Sequence, residues 1–134
     1  MIWSPWVHVT PRAGADYEAC RNSATDCLIP ALLQWGAEAY YPERQPTAEE
    51  VAYMSPLHHP FRTRVPLFIH AGTTEAFFDA IEEFATEMAK INGNRIRFHR
   101  TEFGTHDLIL TYDGVGLEAK VESALRDASG FFEQ

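Results

Sequence analysis

With 134 residues, of which 46% are hydrophobic and 13% aromatic, the chain is long enough for one domain with a real core and too apolar to be disordered. Nineteen acidic against eleven basic residues leave a net charge of −8, which argues against nucleic acid or an anionic membrane as partner and says nothing about fold. Solvated helix surfaces are the ordinary home of such an excess.

In chain order, Ile2 to Val9 reads as a strand rich in Trp and Val, closed by Thr10-Pro11. It starts beside Met1 without a polar lead-in, and such a strand needs neighbours on both edges or becomes a pairing hazard. Pro11 to Ser23 is irregular. Thr25 or Asp26 can cap a helix carrying Leu28, Leu32, Leu33, Trp35 and Ala39, with Pro30 in the first turn where proline is tolerated. Cys20 and Cys27 flank this helix start, have no His/Cys cluster at zinc spacing, and read as buried or free thiols. Thr47-Ala48-Glu49-Glu50 matches a capping box for a short helix running to Tyr53. Met54 to Pro60 is a proline-bounded loop with adjacent histidines, His58 and His59.

The stretch from Val65 to Asp79 reads as a buried strand, a glycine turn and a helix start. Val65-Pro66-Leu67-Phe68-Ile69 suits a parallel strand covered on both faces. Gly72 breaks the run and Thr74 can act as N-cap. Phe77, Phe78, Ile81, Phe84, Ala85, Met88 and Ile91 then form the apolar face of a helix, with Gly93 as its stop. Arg95 to His99 is another strand, followed by the loop Gly104-Thr105-His106-Asp107. Leu108 to Tyr112 reads either as a loop over the core or as the first turn of a helix. Gly116 to Phe132 is a last helix with Leu117, Val121, Ala124, Leu125, Ala128 and Phe132 on one face. This order predicts an α/β fold of three mainly parallel strands with crossover helices.

Ligands and catalytic groups of such sheets lie beyond the carboxyl ends of the strands. Glu75 follows one strand there and His106 follows the next, which is two thirds of a hydrolytic triad. Taken on its own, Glu75 reads first as a first-turn glutamate complementing a helix dipole, and the plain reading of His106 is a loop histidine bonded to backbone. Asp79, one turn after Glu75, is the competing acid. His58 and His59 point apart on most backbones and have no ligand partner nearby in sequence, so no metal site is expected. His8, His70 and His99 sit in or at the ends of strands and read as structural.

Several segments in order resemble the C-terminal half of an α/β-hydrolase of the hormone-sensitive-lipase type, the group of arylacetamide deacetylase-like and steryl acetyl hydrolase-like esterases. They are Ser4-Pro5-Trp6, Asn22 with Asp26, Trp35 with Tyr40, Ser55-Pro56-Leu57, Gly72-x-x-Glu75-x-x-x-Asp79 and Gly104-Thr105-His106-Asp107. The resemblance covers essentially residues 1–134 but only about half of such an enzyme. It implies that Glu75 is the triad acid, that His106 is the catalytic base, and that the substrates are small or lipophilic esters with no cofactor. It also implies that the segment of Asn22, Asp26, Trp35 and Tyr40 helps roof an acyl pocket and that Tyr40, Tyr41, Met54 and Phe61 face it.

The nucleophile is the missing part. The serines are Ser4, Ser23, Ser55, Ser123 and Ser129, and none has glycine two residues before or after it; no histidine precedes Gly-Gly. The chain is therefore expected to be inactive alone, to pair or self-associate through its N-terminal strand, or to act as a non-catalytic binding partner. Met1 to Trp6 carry no basic leader and no run reaches transmembrane length, which favours a cytoplasmic protein.

Overall fold

A computed structural model describes all residues, 1–134. Three strands form a parallel sheet in the order β1-β2-β3: β1 Ile2–Trp3, β2 Leu67–Gly72 and β3 Ile96–Thr101. Ile2 faces Ile69 across the first pair and Ile69 faces Phe98 across the second. Helices cover both faces, as a parallel sheet requires, so the α/β class expected from the sequence holds. Phe68, Ile69, His70 and Ala71 are consecutive and fully buried, as befits the central strand.

The alternation of β2 divides the core. Ile69 and Ala71 point to α4, Phe78–Lys90, and pack with Phe78, Ile81, Phe84, Ala85 and Met88. The three- and four-residue spacing read in the sequence is this buried stripe. Burying one such side chain is worth roughly 1.5–3 kcal/mol. Phe68 points the other way, to Ala128 and Phe131 of α6, Glu118–Phe132. α4 ends at Lys90, and the Asn94 side chain donates to the Met88 carbonyl. Gly93 then takes the left-handed conformation at φ 91°.

Several boundaries differ from the sequence reading. The N-terminal strand pairs only over Ile2 and Trp3, because Ser4 turns left-handed at φ 41° and Pro5 has no N–H to donate. Val7 and Val9 are buried but serve the loop of Ser55 to Leu57: the Val7 carbonyl accepts from Leu57 N–H and Val9 N–H donates to Ser55 Oγ. His8 is therefore exposed and outside any strand. The stretch expected to be irregular contains α1, Ala13–Glu18, whose Tyr17 is buried against Leu33 and Ala37.

Helix α2 spans Pro30–Tyr40, with proline at its first position and Ile29, not Thr25 or Asp26, as N-cap. Its buried positions are Leu33 and Ala37, while Leu32 and Trp35 lie outward. Helix α3, Ala48–Met54, starts with the complete Thr47–Glu50 capping box. Leu108–Val115 is a helix, α5, ended by Gly116 in the left-handed conformation. In α6 it is Phe131 that is buried, and Leu125 and Phe132 are exposed. No helix is long and apolar enough to cross a membrane.

Candidate active site

The site lies where β2 and β3 end. β2 stops at Gly72, and the chain turns through Thr73 to Phe77 before α4 begins; Phe77, not Thr74, is the N-cap. Glu75 N–H donates to the Gly72 carbonyl, and Gly72 N–H returns to Glu75 Oε1 at 2.6 Å. The loop after β3 docks directly on this turn. Thr74 donates both its N–H and its hydroxyl to the Gly104 carbonyl, and Phe103 N–H donates to Thr73 Oγ1. The two sequence motifs, one opening on Gly72 and one on Gly104, are thus a single interlocked unit.

Within it, His106 Nδ1 lies 2.9 Å from Glu75 Oε2. Glu75 is fully buried, and the His106 side chain is 13% exposed. An ionised carboxylate only accepts, so Nδ1 carries the proton and Nε2 is the basic nitrogen of the neutral ring. Burial opposes charging His106, but the Glu75 hydrogen bond and the charges of Glu75, Asp107 and Asp26 outweigh it and hold its pKa above the ordinary histidine value. Phe77 and the imidazole pack as a T-shaped pair, ring centroids 5.6 Å apart, and Trp6 stacks on Phe77 in turn.

Asp79 is not at the histidine. It is exposed and forms a bidentate ion pair with Arg21. Asp107 caps α5 in the left-handed conformation, with Oδ2 3.7 Å from His106 Nε2. Asn22 donates to the carbonyls of Thr73 and Glu75, Thr25 donates to the carbonyl of Thr74, and Asp26 accepts from Ala76 N–H. Residues 22–26 therefore strap the acid turn and satisfy its backbone, a contact in addition to any role over a pocket.

Ser4 is the residue that sequence reasoning missed. It is buried, and its hydroxyl donates to Glu75 Oε1 at 3.0 Å while accepting Asp107 N–H at 3.1 Å. The only sequence signal was its place in Ser4-Pro5-Trp6. No serine hydroxyl is hydrogen-bonded to His106: Ser55 accepts from Val9, Ser23 donates to the Glu18 carbonyl, and Ser129 pairs with Glu133.

Tyr40, Tyr41 and Met54 line a cleft of about 680 Å³ between α2 and α3, together with Tyr53. Phe61 lines another of about 630 Å³ with Ile2, Trp6, Tyr53 and Phe84. Neither is lined by Glu75 or His106. His58, held at φ 66°, meets Glu83 and Glu87 of α4, and the three offer ligand atoms within 4.8 Å of one another. Glu87 already accepts from the His58 amide and contacts its ring Nδ1 at 3.0 Å, so this exposed cluster is satisfied internally. His59 is exposed and does not join it. Cys20 and Cys27 are free thiols, both pushed up in pKa first by burial.

The unit can hold a proton at Nδ1, accept one at Nε2, and stabilise the resulting imidazolium with a buried carboxylate. No protein-family model, curated protein or solved structure matches this chain.

Proposed function

We propose that residues 1–134 supply the acid and the histidine of a serine carboxylesterase related to the hormone-sensitive-lipase type. The observation that carries this reading is the 2.9 Å contact between His106 Nδ1 and the buried Glu75 carboxylate beyond the carboxyl ends of β2 and β3. His106 is the base that takes the proton of an attacking serine and returns it to the leaving alcohol. Glu75 fixes the tautomer and stabilises the imidazolium. The substrates are small or lipophilic esters, and no cofactor takes part.

The serine and the oxyanion donors come from a polypeptide segment outside these residues, which pairs with the free edge of β1. That edge supports the reading: β1 is bonded to β2 on one side only. Trp3 of that strand packs on His70 of β2, ring centroids 4.0 Å apart, and Trp3 Nε1 and His70 Nδ1 are buried without a hydrogen-bond partner. The same edge supports a second reading, in which the chain is a non-catalytic binding partner.

An esterase assay with a short aryl ester tests both. It is run on the chain alone and on an upstream-extended chain carrying a Gly-x-Ser-x-Gly elbow. Hydrolysis only in the extended form, abolished by His106→Ala and by Glu75→Ala, is the expected result. Hydrolysis that survives His106→Ala overturns the esterase reading, and silence in both forms favours the binding role.

A further inference from the structure

Glu75 Oε2 serves His106, while Oε1 takes two donors, Gly72 N–H and the Ser4 hydroxyl. The Ser4 proton has one destination. Its other close neighbour, Asp107 N–H, is itself a donor and takes one of the oxygen's two lone pairs, so the O–H points at Glu75. Ser4 therefore ties three pieces together: the end of β1, the acid turn and the residue directly after the histidine. Its backbone N–H also holds β2, donating to the His70 carbonyl. The left-handed backbone at φ 41° is one that glycine adopts without strain, and the hydroxyl is what glycine lacks.

We infer that Ser4 is a positioning residue for the Glu75–His106 pair, its hydroxyl fixing the orientation of the carboxylate towards the imidazole and locking the histidine loop to that carboxylate. The inference rests on the reading of Glu75 and His106 as the working acid and base. The same bonds exclude Ser4 as the nucleophile, because its proton is committed to Glu75 and not to His106.

The test is the titration and tautomer of His106, followed by NMR in the whole chain with labelled histidine. The chain as it stands is expected to show a protonated Nδ1 and a midpoint above the ordinary histidine value. Ser4→Gly accommodates the left-handed backbone and removes the hydroxyl together with its Cβ. It is expected to drop the midpoint by about one pH unit, the scale of a lost charge-assisted hydrogen bond, and to speed exchange of the Nδ1 proton. Ser4→Cys, with a weaker donor of similar shape, should fall between the two. A thermal melt of each variant separates loss of fold from loss of positioning. An unchanged His106 midpoint and Nδ1 exchange rate in Ser4→Gly overturns the role of Ser4 and leaves the pair standing. An ordinary, solvent-like His106 in the unsubstituted chain overturns the pair itself, and the role of Ser4 with it.

Discussion

Gly72 and Gly104 touch backbone to backbone: a Cβ on Gly72 would lie 2.2 Å from the Gly104 carbonyl oxygen and 2.4 Å from its carbon. No side-chain rotation relieves that overlap, so the two loops carrying Glu75 and His106 close only over glycine. Gly72→Ala is expected to cost about 3 kcal/mol or more of stability, the scale of forced backbone displacement in a packed region. It should also return His106 toward ordinary titration. Gly130→Ala is the control. It lies in α6 with nothing within 4 Å, and should stabilise by about 0.5–1 kcal/mol through helix propensity. Urea melts of both variants check the pair, and equal stability would remove the argument for loop interlock.

Glu75→Gln tests the charge separately from the shape. With its oxygen facing Gly72 N–H and Ser4, the amide would present N–H₂ to His106 Nδ1, which then must accept, moving the ring proton to Nε2. Burial, which opposes the imidazolium, is then met only by the charges of Asp107 and Asp26, so the His106 pKa is expected to fall. On the proposed esterase reading, activity of the extended chain should rise with pH through the raised His106 pKa, since a general base works unprotonated. The variant should shift that limb to lower pH while losing about 10²-fold or more in rate. A pH–rate profile in which the limb does not move counts against the coupling.

Two histidines give stability opposite pH dependences. His106 has a raised pKa in the folded chain, so its contribution is complete below the unfolded value near 6.5 and is lost as pH rises through the folded pKa. His70 is the reverse. Burial first, and then the neighbouring His99, push it down to about 3. The unfolded chain binds the extra proton between about 3 and 6.5, so stability falls with decreasing pH there by up to about 1.4 kcal/mol per unit. Denaturant midpoints measured across that window should lose about one proton's worth of slope in His70→Phe. An unchanged slope would mean that His70 titrates normally in the folded chain.

The free edge of β1 predicts association. A strand bonded on one side only, its two residues Ile2 and Trp3 half-buried, is a template for another chain. Sedimentation of residues 1–134 is expected to show mass rising with concentration, and a sharp monomeric melt at all concentrations would argue that the edge is already protected.

Much of this was written locally. Helix α4 follows from the spacing of Phe78, Ile81, Phe84, Ala85 and Met88, and α3 from Thr47 and Glu50, because helical periodicity and capping are properties of residues three or four apart. The strand–glycine–acid and strand–glycine–histidine segments were legible for the same reason. Helix α1 was not, since Tyr17 is buried by Leu33 and Ala37 from elsewhere in the chain. Nor was the early end of β1, which depends on whether the stretch after Pro5 is used by a strand or, as found, by the Ser55–Leu57 loop.

The sequence by itself therefore determined an α/β chain with an acid after one strand and a histidine after the next. Tertiary structure brought Glu75, the acid the resemblance named, and not Asp79 to His106, and it alone decided that Ser4 completes the contact across 71 residues of chain. The physical reason is reach. Periodicity and caps report on one turn of helix or one pleat of strand, whereas a buried carboxylate takes its hydrogen-bond donors from whichever segments the sheet order brings to its end.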